Sequence, residues 1–187
     1  MSAELWERLV SSETVFEGRL ISVRVDEVEL SGGARARREI VVHPGAVAVV
    51  PLLPEGRVLM IRQYRHAAGQ VLYELPAGTL QPGESPADCA RRELTEETGY
   101  AAGKLELVFS TYLSPGYSTE LIGIFLARDL HPAQGARQEP DERVAPVVLP
   151  FEEAVAMVRR GEVRNAAAIC GLLAAARWGG AGGGAIE

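Results

Sequence analysis

The sequence predicts a layered fold of strands and helices, an α+β or α/β sandwich, with a small antiparallel sheet at its N-terminus. Three observations predict it. Apolar runs of strand length, Ala46–Leu53 foremost, alternate with two or three helical stretches. The first helix carries its own start and stop signals, from Ser85 to Gly99. Residues 5–30 read as extended and are followed by Ser31-Gly32-Gly33, a hairpin signal.

The elements follow in order. Ile21, Val23 and Val25, then Val28 and Leu30, alternate with polar residues, with one irregularity between the two sets. The segment after the hairpin signal returns as a strand that ends near His43-Pro44-Gly45. A sheet of two or three strands is marginal alone in water and is expected to pack on the main domain or on a second subunit. Ala46–Leu53 suits a buried central strand, Pro54-Glu55-Gly56 turns the chain, and Arg57–Tyr64 forms the next strand. Gln70–Pro76 leads into a loop. Strands are expected at Leu105–Tyr112, Leu121–Ala127 and Val144–Leu149, then helices from Phe151 to about Arg160 and from Asn165 to Trp178. The Gly-rich residues 179–187 read as a flexible tail.

A length of 187 residues fits one domain with a sizeable core. A net charge of -6 argues against nucleic acid as a partner. No apolar run reaches membrane-spanning length and the N-terminus lacks a signal-peptide core, so no membrane partner and a cytoplasmic location are expected. Cys89 and Cys170 form neither a disulfide framework nor a zinc site and are expected to be small buried thiols. His43, His66 and His131 are scattered, and surface or structural roles are expected for them. Neither GxGxxG nor GxxxxGK[ST] occurs.

The chemistry concentrates in Gly78–Tyr100. Pro82-Gly83 is a turn signal, Ser85 is a good N-cap with Pro86 at the first helical position, and Asp88 stands where a capping box needs it. Gly99 can end the helix as a left-handed cap. Ala87, Ala90 and Leu94 are expected to share a stripe facing the core, with Glu93, Glu96 and Glu97 on a neighbouring face. Three carboxylates on one arc repel each other unless a cation neutralises them, and carboxylate oxygens are the ligands that Mg²⁺ or Mn²⁺ prefers. The alternative is a solvated acidic face. With Arg92 alongside and a glycine-bearing loop leading in, the pattern points to a metal site, Glu93 and Glu97 as principal ligands and Glu96 either ligand or supporting group. Arg92 is expected to orient Glu93 or another of these carboxylates through a bidentate salt bridge. Glu84 is expected at the metal or one layer behind it.

Gly78, Glu84, Arg92, Glu93, Leu94, Glu96, Glu97, Gly99 and Tyr100 stand at every specified position of the Nudix hydrolase signature, and the stretch resembles that family. The resemblance implies an α+β fold, an α/β/α sandwich with a mixed sheet between helices and the signature as loop, helix and loop. It divides the chain into an N-terminal sheet region at 1–44, a hydrolase domain at 45–178 and the tail. It implies Mg²⁺- or Mn²⁺-dependent hydrolysis, with the Ala77 carbonyl as a further metal ligand beside Glu93, Glu96 and Glu97.

Pro115 lies 16 residues after Gly99. With Arg62-Gln63-Tyr64-Arg65 before the signature and Ser114–Glu120 after it, this resembles the ADP-ribose pyrophosphatase subgroup, although Pro115-Gly116 also reads as a plain turn. The resemblance implies that the N-terminal sheet is exchanged between the subunits of a homodimer. Under it, Arg65 contacts the pyrophosphate, Ser118 and Glu120 the ribose, and Glu39 the adenine amino group, while Phe16 or Tyr117 stacks on the base. The general base is expected on the acidic loop Gln138–Glu142, Glu142 first and Glu139 second. The implied reaction is hydrolysis of a nucleoside diphosphate linked to X, ADP-ribose giving AMP and ribose 5-phosphate. NADH, FAD or GDP-mannose as substrate, and a non-catalytic sensor of ADP-ribose, are the alternatives.

Overall fold

The computed structural model describes residues 5–133 and 143–178. Their contacts divide into two compact units.

The first unit holds the described residues up to Gly45 together with Tyr112–Leu121. Strands β1 (Glu7–Glu17), β2 (Ser22–Leu30) and β3 (Arg35–Val42) form an antiparallel sheet in that order. Gly33, at a φ of 79°, makes the β2–β3 turn, and its N–H donates to the Leu30 carbonyl. The break in alternation between Val25 and Val28 is not a bulge against β3: β2 pairs with β3 without a shift. Val23 and Val25 therefore occupy one face and Val28 the other, and the register shifts fall in β1 instead. Asp26 is buried on the Val28 face, where it accepts from the Ser12 hydroxyl at 2.6 Å. All of β1 is exposed, Leu9, Val10, Val15 and Phe16 included.

The second unit holds Ala46–Thr111 and the described residues from Ile122 onward. Its strands are β4 (Ala46–Leu53), β5 (Arg57–Arg65), β6 (Gln70–Glu74), β7 (Ala77–Thr79), β8 (Tyr100–Tyr112), β9 (Leu121–Pro132) and β10 (Val144–Pro150). The helices are α1 (Pro86–Thr98), α2 (Phe151–Arg159) and α3 (Ala166–Trp178). The sheet runs β10-β5-β4-β9-β8, with β6 added to β5 and β7 to β4. Central β4 pairs with β9 in parallel and with β5 and β7 antiparallel, so the sheet is mixed. Pro146 is tolerated because β10 is the edge strand.

Alternation along β4 feeds two cores. Val47 and Val49 pack with Cys89, Ala90 and Leu94 of α1 and with Phe125 and Ala127 of β9. Val50 turns the other way, toward α3, where Gly171 lets the helix approach Val50, Leu75 and Ile124. Helices thus cover both faces, giving the sandwich that the sequence predicts.

Three boundaries differ from expectation by more than a residue or two. β7 turns the start of the signature loop into a short strand on β4. β8 begins at Tyr100, not Leu105, and β9 runs on to Pro132, not Ala127. The last two extensions belong together. Gly103 lies so close to β9 that a Cβ there would stand 3.0 Å from the Asp129 Cβ, and the Ala133 N–H closes on the Gly99 carbonyl. The expected tail lies outside the described residues. No helix among the described residues is long and apolar enough to cross a membrane.

A carboxylate-bearing helix as the candidate active site

Helix α1 starts and stops where its sequence says. Ser85 is extended and its hydroxyl accepts the Asp88 N–H, and Pro86 follows. Asp88 Oδ2 accepts a hydrogen bond from the Ser85 hydroxyl at 2.6 Å, so the box closes side chain to side chain. Gly99, at a φ of 75°, caps the C-terminus with its N–H on Thr95.

The inward face corrects one expectation. Ala87 is exposed, and the buried positions are Cys89, Ala90, Glu93, Leu94 and Glu97. Two glutamates therefore lie on the buried side of the helix itself, and only Glu96 remains about one-third exposed. Buried carboxylates require partners. Glu97 Oε2 accepts the Ala77 N–H at 2.9 Å. Glu93 Oε1 accepts from Arg92 at 2.6 Å and presses so closely on β7 that a Cβ at Gly78 would stand 1.8 Å from it. Gly78 is required here for space.

Arg92 organises the cluster. Its fork is bidentate to Glu84, Nε to Oε1 at 2.8 Å and Nη2 to Oε2 at 3.0 Å, while Nη1 reaches Glu93 and also Glu96 at 3.1 Å. The bidentate partner is Glu84, with single bonds to Glu93 and Glu96. Hydrogen bonding to Arg92 holds the Glu84 carboxyl at about 2, well below its ordinary value, and its carboxylate neighbours raise the Arg92 value further. The Cys89 thiol lies beneath this network, 3.3 Å from Arg92 Nη2, and burial pushes it up to about 12.

The donor set suits a hard divalent cation: carboxylate oxygens in i, i+3 and i+4 relation, beside a strand whose missing Cβ leaves them room. As they stand, no three His, Cys, Asp or Glu side chains among the described residues are arranged to hold a metal ion. Arg92 occupies the space between Glu93 and Glu96.

Arg65 is the last residue of β5 and not a loop residue. Its guanidinium is bidentate to Glu74 of β6, Nε to Oε1 at 3.0 Å and Nη2 to Oε2 at 2.7 Å. Glu74 was not among the sequence candidates. The signal was there, a carboxylate inside the apolar run Val71–Pro76. On the same face of β5, Gln63 is buried, and its Oε1 finds no partner among the described residues.

The other candidates gather in the N-terminal unit. Phe16, Val23 and Val41 lie in register on one face of its sheet, next to Glu13, Val25 and Glu39. Tyr117 and Thr119 bond to β3 through the Val41 N–H and carbonyl. Pro115 sits in a turn in which the Tyr117 and Ser118 N–H groups both reach the Ser114 carbonyl, and the Ser118 hydroxyl accepts the Glu120 N–H. His43 has a structural role, its Nδ1 accepting the Gly45 N–H. Glu139 and Glu142 lie outside the described residues.

Comparison with known proteins gives the class. The NUDIX domain family model matches residues 42–170, and the nucleoside diphosphate sugar hydrolase N-terminal domain matches residues 7–41. The chain belongs to the Nudix hydrolase family. It is 40% identical over 163 residues to an ADP-ribose pyrophosphatase of Bacillus subtilis (strain 168), covering 87% of this chain and 88% of that one. It is 39% identical over 131 residues to a GDP-mannose pyrophosphatase of Yersinia pestis (strain Pestoides F), covering 65% of each. The solved structure of an ADP compounds hydrolase superposes with a TM-score of 0.83 at 27% identity, over 95% of this chain and 96% of that one.

Proposed function

We propose that this Nudix hydrolase cleaves the pyrophosphate of ADP-ribose to AMP and ribose 5-phosphate, using Mg²⁺ or Mn²⁺. The observation that carries the reading is the pair of buried glutamates, Glu93 and Glu97, held against Ala77–Gly78 by Arg92 and by a backbone N–H. Glu93, Glu96, Glu97 and the Ala77 carbonyl would hold the ion. A bound divalent ion supplies neutralisation of the pyrophosphate charge and a lowered pKa for water. The protein's own part is positioning. Arg92 keeps Glu84, Glu93 and Glu96 in one array, and Arg65 binds the pyrophosphate. Ser118, Glu120, Glu39, Phe16 and Tyr117 contact ribose and base beside the Pro115 turn, and Glu142 serves as general base. The relative from Bacillus subtilis supports ADP-ribose.

GDP-mannose is the second reading, favoured by the relative from Yersinia pestis. A sensor without catalysis is disfavoured because Glu93, Glu96 and Glu97 are all retained. We also propose a homodimer formed through the N-terminal sheet, whose strand β1 leaves Leu9, Val10 and Val15 in solvent.

The test is incubation with Mg²⁺ and ADP-ribose, NADH, FAD and GDP-mannose in parallel, following release of the nucleoside monophosphates. AMP from ADP-ribose at the highest kcat/KM is expected. Preference for GDP-mannose would replace the substrate, and hydrolysis of none would remove the enzymatic reading. Glu142→Gln should lower kcat on the order of a hundredfold or more with KM little changed, and an unchanged kcat would take Glu142 out of the mechanism.

A further inference from the structure

We infer that Glu74 is a positioning residue for substrate, acting through Arg65. The inference rests on the proposed contact between Arg65 and the pyrophosphate. Glu74 is 1% exposed, yet its carboxylate meets a guanidinium that is 42% exposed. Burying one end of an ion pair adds little to stability, since desolvation offsets the attraction. What the arrangement does secure is direction. A free arginine side chain samples many rotamers, whereas a bidentate fork on a buried anchor has one orientation. Glu74 takes the Nε and Nη2 edge. The planar geometry of the guanidinium then sets the direction in which its remaining N–H groups point, and with it the line along which Arg65 meets the pyrophosphate in the proposed contact.

The anchor is itself tied to the carboxylate helix. Glu74, Leu75 and Pro76 are buried in succession. The Pro76 carbonyl accepts the Val49 N–H of central strand β4 at 2.8 Å, and the next residue, Ala77, donates its N–H to Glu97. Glu74 also stands opposite Ile61 in the β5–β6 ladder. An unbroken line of bonded groups therefore runs from the Arg65 guanidinium to the Glu97 carboxylate over three peptide links. Its length fixes where a phosphate held by Arg65 lies relative to groups held by Glu97. A Gln at position 74 keeps the shape but offers only one acceptor, and its amide N–H₂ opposes the second arginine N–H. Arg65 would then lose one of the two bonds by which Glu74 sets its orientation.

A double-mutant cycle tests this. The kcat/KM for ADP-ribose with Mg²⁺ is measured for wild type, Glu74→Gln, Arg65→Ala and the double variant, after wild type has been run on the substrate panel above. Glu74→Gln should lower kcat/KM on the order of tenfold to a hundredfold. In the Arg65→Ala background the same change should alter it by no more than about twofold. Losses that multiply would mean that Glu74 supports the fold generally, and would overturn the inference. So would a Glu74→Gln enzyme as active as wild type. A wild type inactive on the whole panel would overturn the functional reading together with this one, and so is distinct from either. If Glu74→Gln does not fold, judged by its thermal transition, Glu74→Asp takes its place in the cycle. Asp keeps the charge but withdraws the anchor by one methylene, and the same dependence on Arg65 is expected.

Discussion

A methyl group at position 78 has nowhere to go. It would stand 1.8 Å from Glu93 Oε1 and 2.0 Å from its Cδ. Gly78→Ala should therefore push the Glu93 carboxylate off β7, costing roughly 1–3 kcal/mol of stability as overpacking does and abolishing most activity. Urea unfolding and kcat/KM together check it, and a variant with wild-type values of both would show that Glu93 moves aside freely. Glu84 allows a test by pH. Its folded value, about 2, lies below its unfolded one, so its carboxylate stabilises the fold above the unfolded value. That contribution is lost as pH falls from about 4.3 toward 2. The gap in urea midpoint between wild type and Glu84→Gln should be full at neutral pH and close on acidification below about pH 4.3. A gap that ignores pH would deny the carboxylate its role.

At the scale of elements, α1 was legible at its ends but not on its inner face. Caps act within a few residues of the chain, so Ser85, Pro86 and Gly99 announce themselves. Which side of the helix meets the sheet depends on where β4 and β7 run, and that is set by distant residues. Hence Ala87 was expected inside and lies outside, while Glu93 and Glu97 lie inside because Ala77 and Arg92 meet them there. Ser85→Ala should cost about 1 kcal/mol, read from the denaturation midpoint. Helix α3 also packs without spare room. A Cβ at Gly171 would come within 2.6 Å of Leu75 Cδ1 and 3.0 Å of Val50 Cγ2. Gly171→Val should lower stability by roughly 1–3 kcal/mol, and a variant as stable as wild type would mean that the α3 face yields easily.

For the whole molecule, the sequence told the chemistry of the signature and the layered architecture because both are written in local patterns. It did not tell that Tyr112–Leu121 groups with the N-terminal strands, since that union depends on hydrogen bonds between Val41 and a segment more than 70 residues away. Glu74 stands out in the sequence as a carboxylate in an apolar run, but its partner Arg65 emerges only when β5 and β6 are laid side by side. The bare face of β1 carries a prediction about assembly. Leu9→Glu should convert a dimer to a monomer in sedimentation velocity runs at micromolar concentration. A wild type that sediments as a monomer would end the proposal of a homodimer.

The thiol under Arg92 gives the molecule a built-in reporter of access to its carboxylate helix. Cys89 is fully enclosed between α1 and the sheet, and its raised pKa leaves almost no thiolate at neutral pH. An alkylating reagent should therefore reach it only through an opening that exposes this side of α1. In a Cys170→Ser background, the rate at which Cys89 is modified should report how much of the protein is open at any moment. Ligands that draw the carboxylates together should slow it, before any turnover is measured.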